Sequence, residues 1–361
     1  MKVFKNQLVN YTADRYFIVV IKLQILNIST IEKYDLQKMY KTYDKWPEIA
    51  RESFESNQTS INFEDIDHIV FAGMGGSGAI GDIFEAILSK AKIHVNVVKG
   101  YVLPKTVNSN TLVIAISASG NTTETLAILN SAYKIKCKII AFSSGGKMLD
   151  YCMKNKIEYR NVIYYHSPRA SFTSYLYTVL NVLHSVLKIK KEDILESINE
   201  LEKYREKINS LNLTNSNPSL NLAKWITDIP IIYYPKGLHA VAIRFKNILQ
   251  ENSKIHAIAE DIIESCHNGI VSWEKKSNIK PILIQGKNDH ITTKNRWKII
   301  KEYFNENKIE YNEIISIEGS ILSKIVNLIY ILDYCSIYNS ILTKTNPTPV
   351  KSIEFVKSRL K

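Results

Sequence analysis

Two short runs of small and hydroxylated residues carry the first chemical signal. Gly73-Met74-Gly75-Gly76-Ser77-Gly78 and Ser117-Ala118-Ser119-Gly120-Asn121-Thr122 each join an apolar stretch to a helical pattern. Such a junction leaves backbone N–H groups unpaired at a helix N-terminus, where the dipole favours an anion. Ser117, Ser119 and Thr122 add three hydroxyls, and Gly120 admits a tight turn. That set suits the three oxygens of a phosphate monoester. A capped helix with no ligand is the plainer reading of the loop taken alone.

Other chemistries find less support. The first run fits G-x-G-x-x-G through Gly73, Gly75 and Gly78, but a dinucleotide site also needs an acid at the end of the next strand. That strand runs instead into Lys99-Gly100-Tyr101. The P-loop pattern G-x-x-x-x-G-K-[ST] is absent. Cys266 and His267 are adjacent, but neighbours in sequence usually point apart, which argues against a Cys–His nucleophile. The eight His residues are dispersed, and no cluster has metal-ligand spacing. A phosphorylated small molecule, with no metal or cofactor, is the expected ligand.

The elements that must position these loops alternate. His68–Ala72, Val95–Val98, Thr111–Ile116, Lys138–Phe142 and Asn161–Tyr164 read as strands, with helical patterns over 79–90, 121–133 and 171–187. Glu124, three residues after Asn121, resembles a capping box. A single amphipathic helix is expected over 34–54. A charged helix follows over 190–208, then an exposed polar stretch over 209–219. A second alternation has strands at Pro230–Tyr234, Pro281–Ile284 and Ile314–Ile317, with helices over 240–250, 293–307 and 321–342. The expected fold is α/β, doubly wound: two units, each a mainly parallel sheet flanked by helices. The units span 34–188 and 220–361, after an N-terminal extension over 1–33.

Composition narrows the class. With 361 residues, 45% hydrophobic and 23% charged, the chain can bury two cores. Its net charge of +12 comes from scattered Lys, without an Arg-rich tail or nucleic-acid motif. It reads as a solvated surface that tolerates anionic metabolites, not as a nucleic-acid interface. Four cysteines without a paired framework imply reduced thiols and a cytoplasmic protein. The apolar run Ile18–Leu26, broken by Lys22 and Gln24, is too short to span a bilayer of ~20 residues. It reads as an edge strand or extension, and no later run is expected to cross a membrane.

The motifs together resemble a family. G-M-G-G-S-G followed by S-x-S-G-N-T-x-E-T-L resembles the sugar isomerase (SIS) domain. Pro168-Arg169-Ala170-Ser171, Gln250-Glu251-Asn252-Ser253-Lys254, His267-Asn268, the tail Asn346–Val350 and Lys357 narrow the resemblance to the archaeal and bacterial bifunctional phosphoglucose/phosphomannose isomerases. The resemblance covers the chain from about Tyr34 to its end.

It implies an aldose–ketose isomerase acting on glucose 6-phosphate, mannose 6-phosphate and fructose 6-phosphate, in glycolysis and gluconeogenesis. Such a reaction opens the ring, moves a proton through a cis-enediol and stabilises the enediolate with a cation. By resemblance, Glu251 is the base, Arg169 sits by the enediolate, and His267 and Lys357 open the ring. Phosphate lies on Ser117, Ser119 and Thr122, and Gly76 and Ser77 approach the sugar. Thr348 leaves room to rotate the C2–C3 bond, which yields both aldose products. The family also implies a homodimer, with His267 contributed across the interface. From spacing alone, Glu251 would read as a solvated helix-end acid and Arg169 as an ion-pair partner.

The chain departs from the family in two places. Ala118 replaces a frequent Tyr, which bears on the packing of the phosphate loop. Ile262-Ile263-Glu264-Ser265-Cys266 lacks the usual Pro before His-Asn, which bears on how His267 is held. An alternative function is a SIS-domain sensor that binds sugar phosphates without catalysis. It would be expected to carry a DNA-reading module, and none stands out.

Overall fold

The computed structural model describes residues 26–360. Three helices lead in: α1 (Ile28–Tyr34), α2 (Met39–Asp44) and α3 (Trp46–Phe54). The first sheet unit then runs β1 (His68–Ala72), α4 (Gly75–Leu88), β2 (His94–Val98), β3 (Thr111–Ser117), α5 (Thr123–Ile135), β4 (Lys138–Ser143), α6 (Gly146–Asn155), β5 (Glu158–Asn161) and α7 (Phe172–Leu183). Helices α8 (Lys191–Ile208) and α9 (Pro218–Trp225) connect to the second unit. That unit runs β6 (Ile229–Tyr234), α10 (His239–Ile248), β7 (Ile258–Asp261), α11 (Ile262–Ser265), β8 (Ile279–Gln285), α12 (Ile291–Glu306), β9 (Asn312–Ile315), α13 (Ile321–Leu342) and α14 (Lys351–Lys357).

Both sheets are wholly parallel. Their orders are β2-β1-β3-β4-β5 and β7-β6-β8-β9. Each therefore starts at an inner strand, moves one place outward, then returns past its start. The loops leaving β1 and β3 diverge at that reversal, which is where open α/β sheets form ligand crevices. Both strands are buried along their whole length, as strands covered on two faces must be. The expected two-sheet α/β architecture is the one observed.

The core is continuous between the sheets. One apolar cluster joins Phe71 and Ile114 of the first sheet to Ile232 and Ile282 of the second, through Leu328, Ile329 and Leu332 of α13. The 22-residue α13 is long and apolar enough to cross a bilayer, contrary to the expectation that no later segment is. It is instead a core helix, with 94% of its most apolar stretch buried inside the protein. Its Asp333, Ser336 and Asn339 are buried and hydrogen-bonded, as a helix packed on polar partners allows.

Several local expectations shift. The single helix over 34–54 is two helices preceded by a third. Asp35 is buried, and its carboxylate accepts from the Tyr40 amide at 2.8 Å. Lys38 adopts the left-handed region with φ +56°, which breaks the helix, and Leu36 is left 66% exposed. The fifth strand is Glu158–Asn161, not Asn161–Tyr164. As an edge strand it can be polar, which hides it from a search for apolar runs. The polar stretch after α8 is anchored, not loose: Ser210 donates to Asp44, and Asn217 donates to the carbonyls of Ile208 and Asn212. The expected strand at Ile18–Leu26 lies almost wholly outside the described residues, and Leu26 itself is buried.

Candidate active site

The site is built around Arg169, in the segment that leads into α7. Its side chain is only 4% exposed, so its charge requires fixed partners. Nε donates to Asn252 Oδ1 at 2.7 Å, and Nη1 donates to Glu251 Oε2 at 3.3 Å. Nη2 donates to the carbonyls of Pro347 and Thr348, at 2.7 and 2.9 Å. One guanidinium thus gathers the first unit, the segment after α10 and the C-terminal tail.

Glu251 lies in a π-helical turn, Leu249–Ser253, that extends α10. Single π turns recur at functional sites because they re-aim side chains within a continuous helix. Asn252 and Ser253 are buried and fasten the turn to α13: Asn252 donates to Ser336 Oγ at 2.9 Å, and Ser253 Oγ donates to the Ser336 carbonyl. Glu251 is therefore held from behind, while its own side chain stays 27% exposed. It lines a cavity of about 510 Å³ with Gly75, Asn247, Gln250, Lys254 and residues Pro349 to Ile353.

A buried ion pair supports the base of this arrangement. Arg244 on α10 and Asp333 on α13 are 2% and 0% exposed and pair at 2.6 Å. Arg244 also donates to the Arg169 carbonyl at 3.1 Å and lies over the Phe172 ring. Burial raises the Asp333 carboxyl to about 6, while Arg244 pulls it back down.

The two glycine-rich loops occupy the crevice at the β1/β3 reversal. In the first, Gly75 has φ +53° and opens onto the cavity. A Cβ on Gly76 would lie 3.6 Å from the Pro168 carbonyl and 3.8 Å from Arg169 Cα, so this loop packs against the Arg169 segment. In the second, the Ser117 and Thr122 hydroxyls are 2.9 Å apart and Ser119 is exposed. Thr122 is the N-cap residue of α5. The capping box is not formed: Asn121 instead donates to the Ser119 carbonyl and accepts from the Lys147 amide. Glu124 accepts from its own amide, which, ahead of Thr123 and Tyr101, holds its carboxyl below the usual range.

Gly120 fixes this loop against its neighbour. It has φ +66°, and an added Cβ would fall 1.7 Å from the Gly145 carbonyl oxygen. Gly120→Ala is expected to cost about 3 kcal/mol of unfolding free energy and to weaken phosphate binding. Urea unfolding and phosphate titration check both.

The remaining expected residues are placed unevenly. The buried Thr348 hydroxyl has no hydrogen-bond partner, and the Thr348 carbonyl is fixed by Arg169. Lys357 is exposed at the end of α14, where its charge acts on Glu124 beside the second glycine-rich loop. His267 follows α11 and is exposed on the second unit; it does not line the Glu251 cavity. Within one chain, then, Glu251, Arg169, Thr348 and the first glycine loop come together, and His267 stands apart.

Sequence reasoning did not single out Asn252, Arg244 or Asp333. Asp333 had a readable signal, an acid within an otherwise apolar helix. The fold also brings Asp82, Glu85 and His239 within 4.8 Å, a grouping that sequence spacing did not show. There Asp82 is already paired with Lys99 at 2.6 Å.

Comparison with known proteins agrees with this fold. Residues 62–150 match the SIS domain, and 215–360 match the bacterial phospho-glucose isomerase C-terminal SIS domain. The chain is 33% identical to a bifunctional phosphoglucose/phosphomannose isomerase of Caldicellulosiruptor bescii, over 89% of this chain and 98% of that one. It is 30% identical to the protein of that name from Aquifex aeolicus, over 85% and 95%. Among solved structures it is similar to the C-terminal domain of glucosamine-fructose-6-phosphate aminotransferase from Francisella tularensis. The TM-score is 0.66, with 17% identity, over 86% of this chain and 98% of that one.

Proposed function

The chain belongs to the bifunctional phosphoglucose/phosphomannose isomerase family, and from that premise we propose that it interconverts glucose 6-phosphate and mannose 6-phosphate with fructose 6-phosphate. The observation that carries this reading is the Glu251 carboxylate beside the Arg169 guanidinium, 3.3 Å apart, with Glu251 on the wall of a cavity that the first glycine loop also lines.

In this reading the Ser117, Ser119 and Thr122 loop holds the phosphate, and Gly76 and Ser77 meet the sugar. Glu251 removes a proton from C1 or C2 and returns it to the other carbon. The electron pair passes through a cis-enediol, whose oxygen is stabilised by fixed cations. Arg169 keeps Glu251 aimed. Thr348 borders the space in which C2–C3 rotates, so that either face of the enediol can be reprotonated. His267 and Lys357 serve ring opening. His267 stands away from the Glu251 cavity of its own chain, which favours its delivery to a second copy's site and hence a homodimer. Four free thiols favour a reducing, cytoplasmic setting.

The test is incubation of the purified protein with fructose 6-phosphate and EDTA, with both aldose phosphates quantified separately. Formation of both is expected. Glucose 6-phosphate alone would remove the role given to Thr348, and saturable binding without product would favour a sensor.

A further inference from the structure

The Glu251 cavity holds a cation that has no role in the scheme above. Arg169, the expected partner of the enediolate, is almost fully engaged within the protein. Four of the five N–H groups of a guanidinium are given to Asn252, Glu251, Pro347 and Thr348. Its charge is matched by Glu251, and it is not among the residues that line the cavity.

Lys254 is on the cavity wall with Glu251. It follows the π turn as its C-cap residue, in the left-handed region with φ +59°. Its ammonium donates to the Glu251 carbonyl and, at 3.1 Å, to the Pro347 carbonyl that Arg169 also holds. An ammonium has three donors, so one is left for a ligand. When Glu251 takes the proton it becomes neutral, and its negative charge moves to the substrate oxygen, while Arg169 stays held by Asn252, Pro347 and Thr348. A cation facing that oxygen favours the transfer, and Lys254, on the cavity wall beside Glu251, is so placed.

We propose that Lys254 is a further catalytic residue, whose ammonium holds the substrate oxygen that becomes the enediolate next to Glu251. The inference rests on the isomerase reading. The charged groups around this ammonium are Glu251 on its own turn, Arg169 ahead of α7, and Lys351 at the start of α14 on the cavity wall. Burial, then Arg169, push the Lys254 ammonium down to about 8, with Glu251 opposing. Lys254 is cationic below that pH and neutral above it. Activity therefore falls as pH rises through about 8.

The alternative is that Lys254 only caps the π turn, and the experiment separates the two. Lys254→Met and Lys254→Arg are assayed with fructose 6-phosphate from pH 6 to 10. Affinity for a phosphorylated hydroxamate that mimics the enediolate is measured beside affinity for fructose 6-phosphate. Lys254→Met is expected to lower kcat about 10²-fold, to change KM by less than about threefold and to weaken the hydroxamate selectively. Lys254→Arg restores kcat to within about tenfold and carries activity past pH 9, because guanidinium stays charged.

Near-normal kcat in Lys254→Met, or equal weakening of both ligands, overturns the proposal. Should that variant not fold, Lys254→Arg decides: an alkaline limb still near pH 8 overturns it. A wild-type protein without turnover defeats the isomerase reading by itself. Selective loss of hydroxamate binding in Lys254→Met would still place the cation.

Discussion

Glu251→Gln is expected to lower kcat for fructose 6-phosphate about 10³-fold or more, with fructose 6-phosphate affinity changed less than about threefold. The amide keeps the length and shape of the carboxylate, and its carbonyl can still accept from Arg169 Nη1, so the site should stay assembled. What it loses is basicity. Asn252 and Ser253 anchor the π turn to Ser336 independently of the Glu251 side chain. A collapse of the turn therefore should not imitate a loss of the base. Steady-state kinetics with direct binding measurement distinguishes the outcomes. Turnover near the wild-type value would assign proton abstraction to another group.

Arg244→Met is expected to destabilise the protein by about 3–5 kcal/mol, the cost of leaving one member of a buried ion pair without its partner. Asp333 is fully buried, and burial already raises its carboxyl to about 6 despite Arg244. Without Arg244 that carboxyl rises further above its unfolded value. The penalty for burying the ionised form is then fully present above the raised value and recedes as pH falls through it. The deficit relative to wild type should therefore shrink in mild acid, as read by urea unfolding across pH. Arg244→Met combined with Asp333→Leu should recover much of the loss, because neither charge then remains. Arg244 also supports the Arg169 carbonyl, so the single variant is expected to lose turnover as well. A single variant as stable as wild type would mean that the pair contributes nothing to holding α10 on α13.

Much of this was legible in the residues because parallel strands buried on both faces are written as unbroken apolar runs. Thr111–Ser117 and His68–Ala72 could hardly be read otherwise. The glycine loops were legible for a related reason: positive φ at Gly75 and Gly120 and close backbone approach at Gly120 leave little choice of residue. Of the four edge strands, β5 and β7 were not legible where they lie. Glu158–Asn161 and Ile258–Asp261 are polar and short, and pair only on one side. Nor could spacing show that Asp35 and Lys38 divide the expected 34–54 helix, since that break depends on a buried carboxylate meeting the Tyr40 amide.

The site divides in the same way. Glu251 and Arg169 were reached through a family pattern, and their 3.3 Å pairing is a product of the fold. The groups that immobilise Arg169, the Asn252 side-chain carbonyl oxygen that accepts from it and the Arg244 guanidinium that donates to its carbonyl, lie on α10 and its π turn, whose packing on α13 no local pattern encodes. Lys254 stood within a recognised run but gained meaning only when its ammonium was seen on the cavity wall. Separations of 82 and 178 residues lie between Arg169 and its partners Glu251 and Pro347. Contacts at that range belong to topology, not to periodicity.

The burial of α13 has a consequence for how the protein is made. Tyr330 donates to the Tyr43 carbonyl, and Tyr334 reaches Asp44, across 287 and 290 residues. Tyr43, Trp46 and Tyr330 form one run of contacting rings. On a growing chain the aromatic face of α2 and α3 emerges before both sheets, and its α13 cover emerges after them. Both sheets are synthesised before that face can be closed. Such long-range closure is slow and leaves apolar surface open to association. The segment through α7 can cover one side of Trp46 earlier, but the face that meets Tyr330 and Tyr334 stays open until α13 is made, and a chain halted before residue 321 cannot close it in this way.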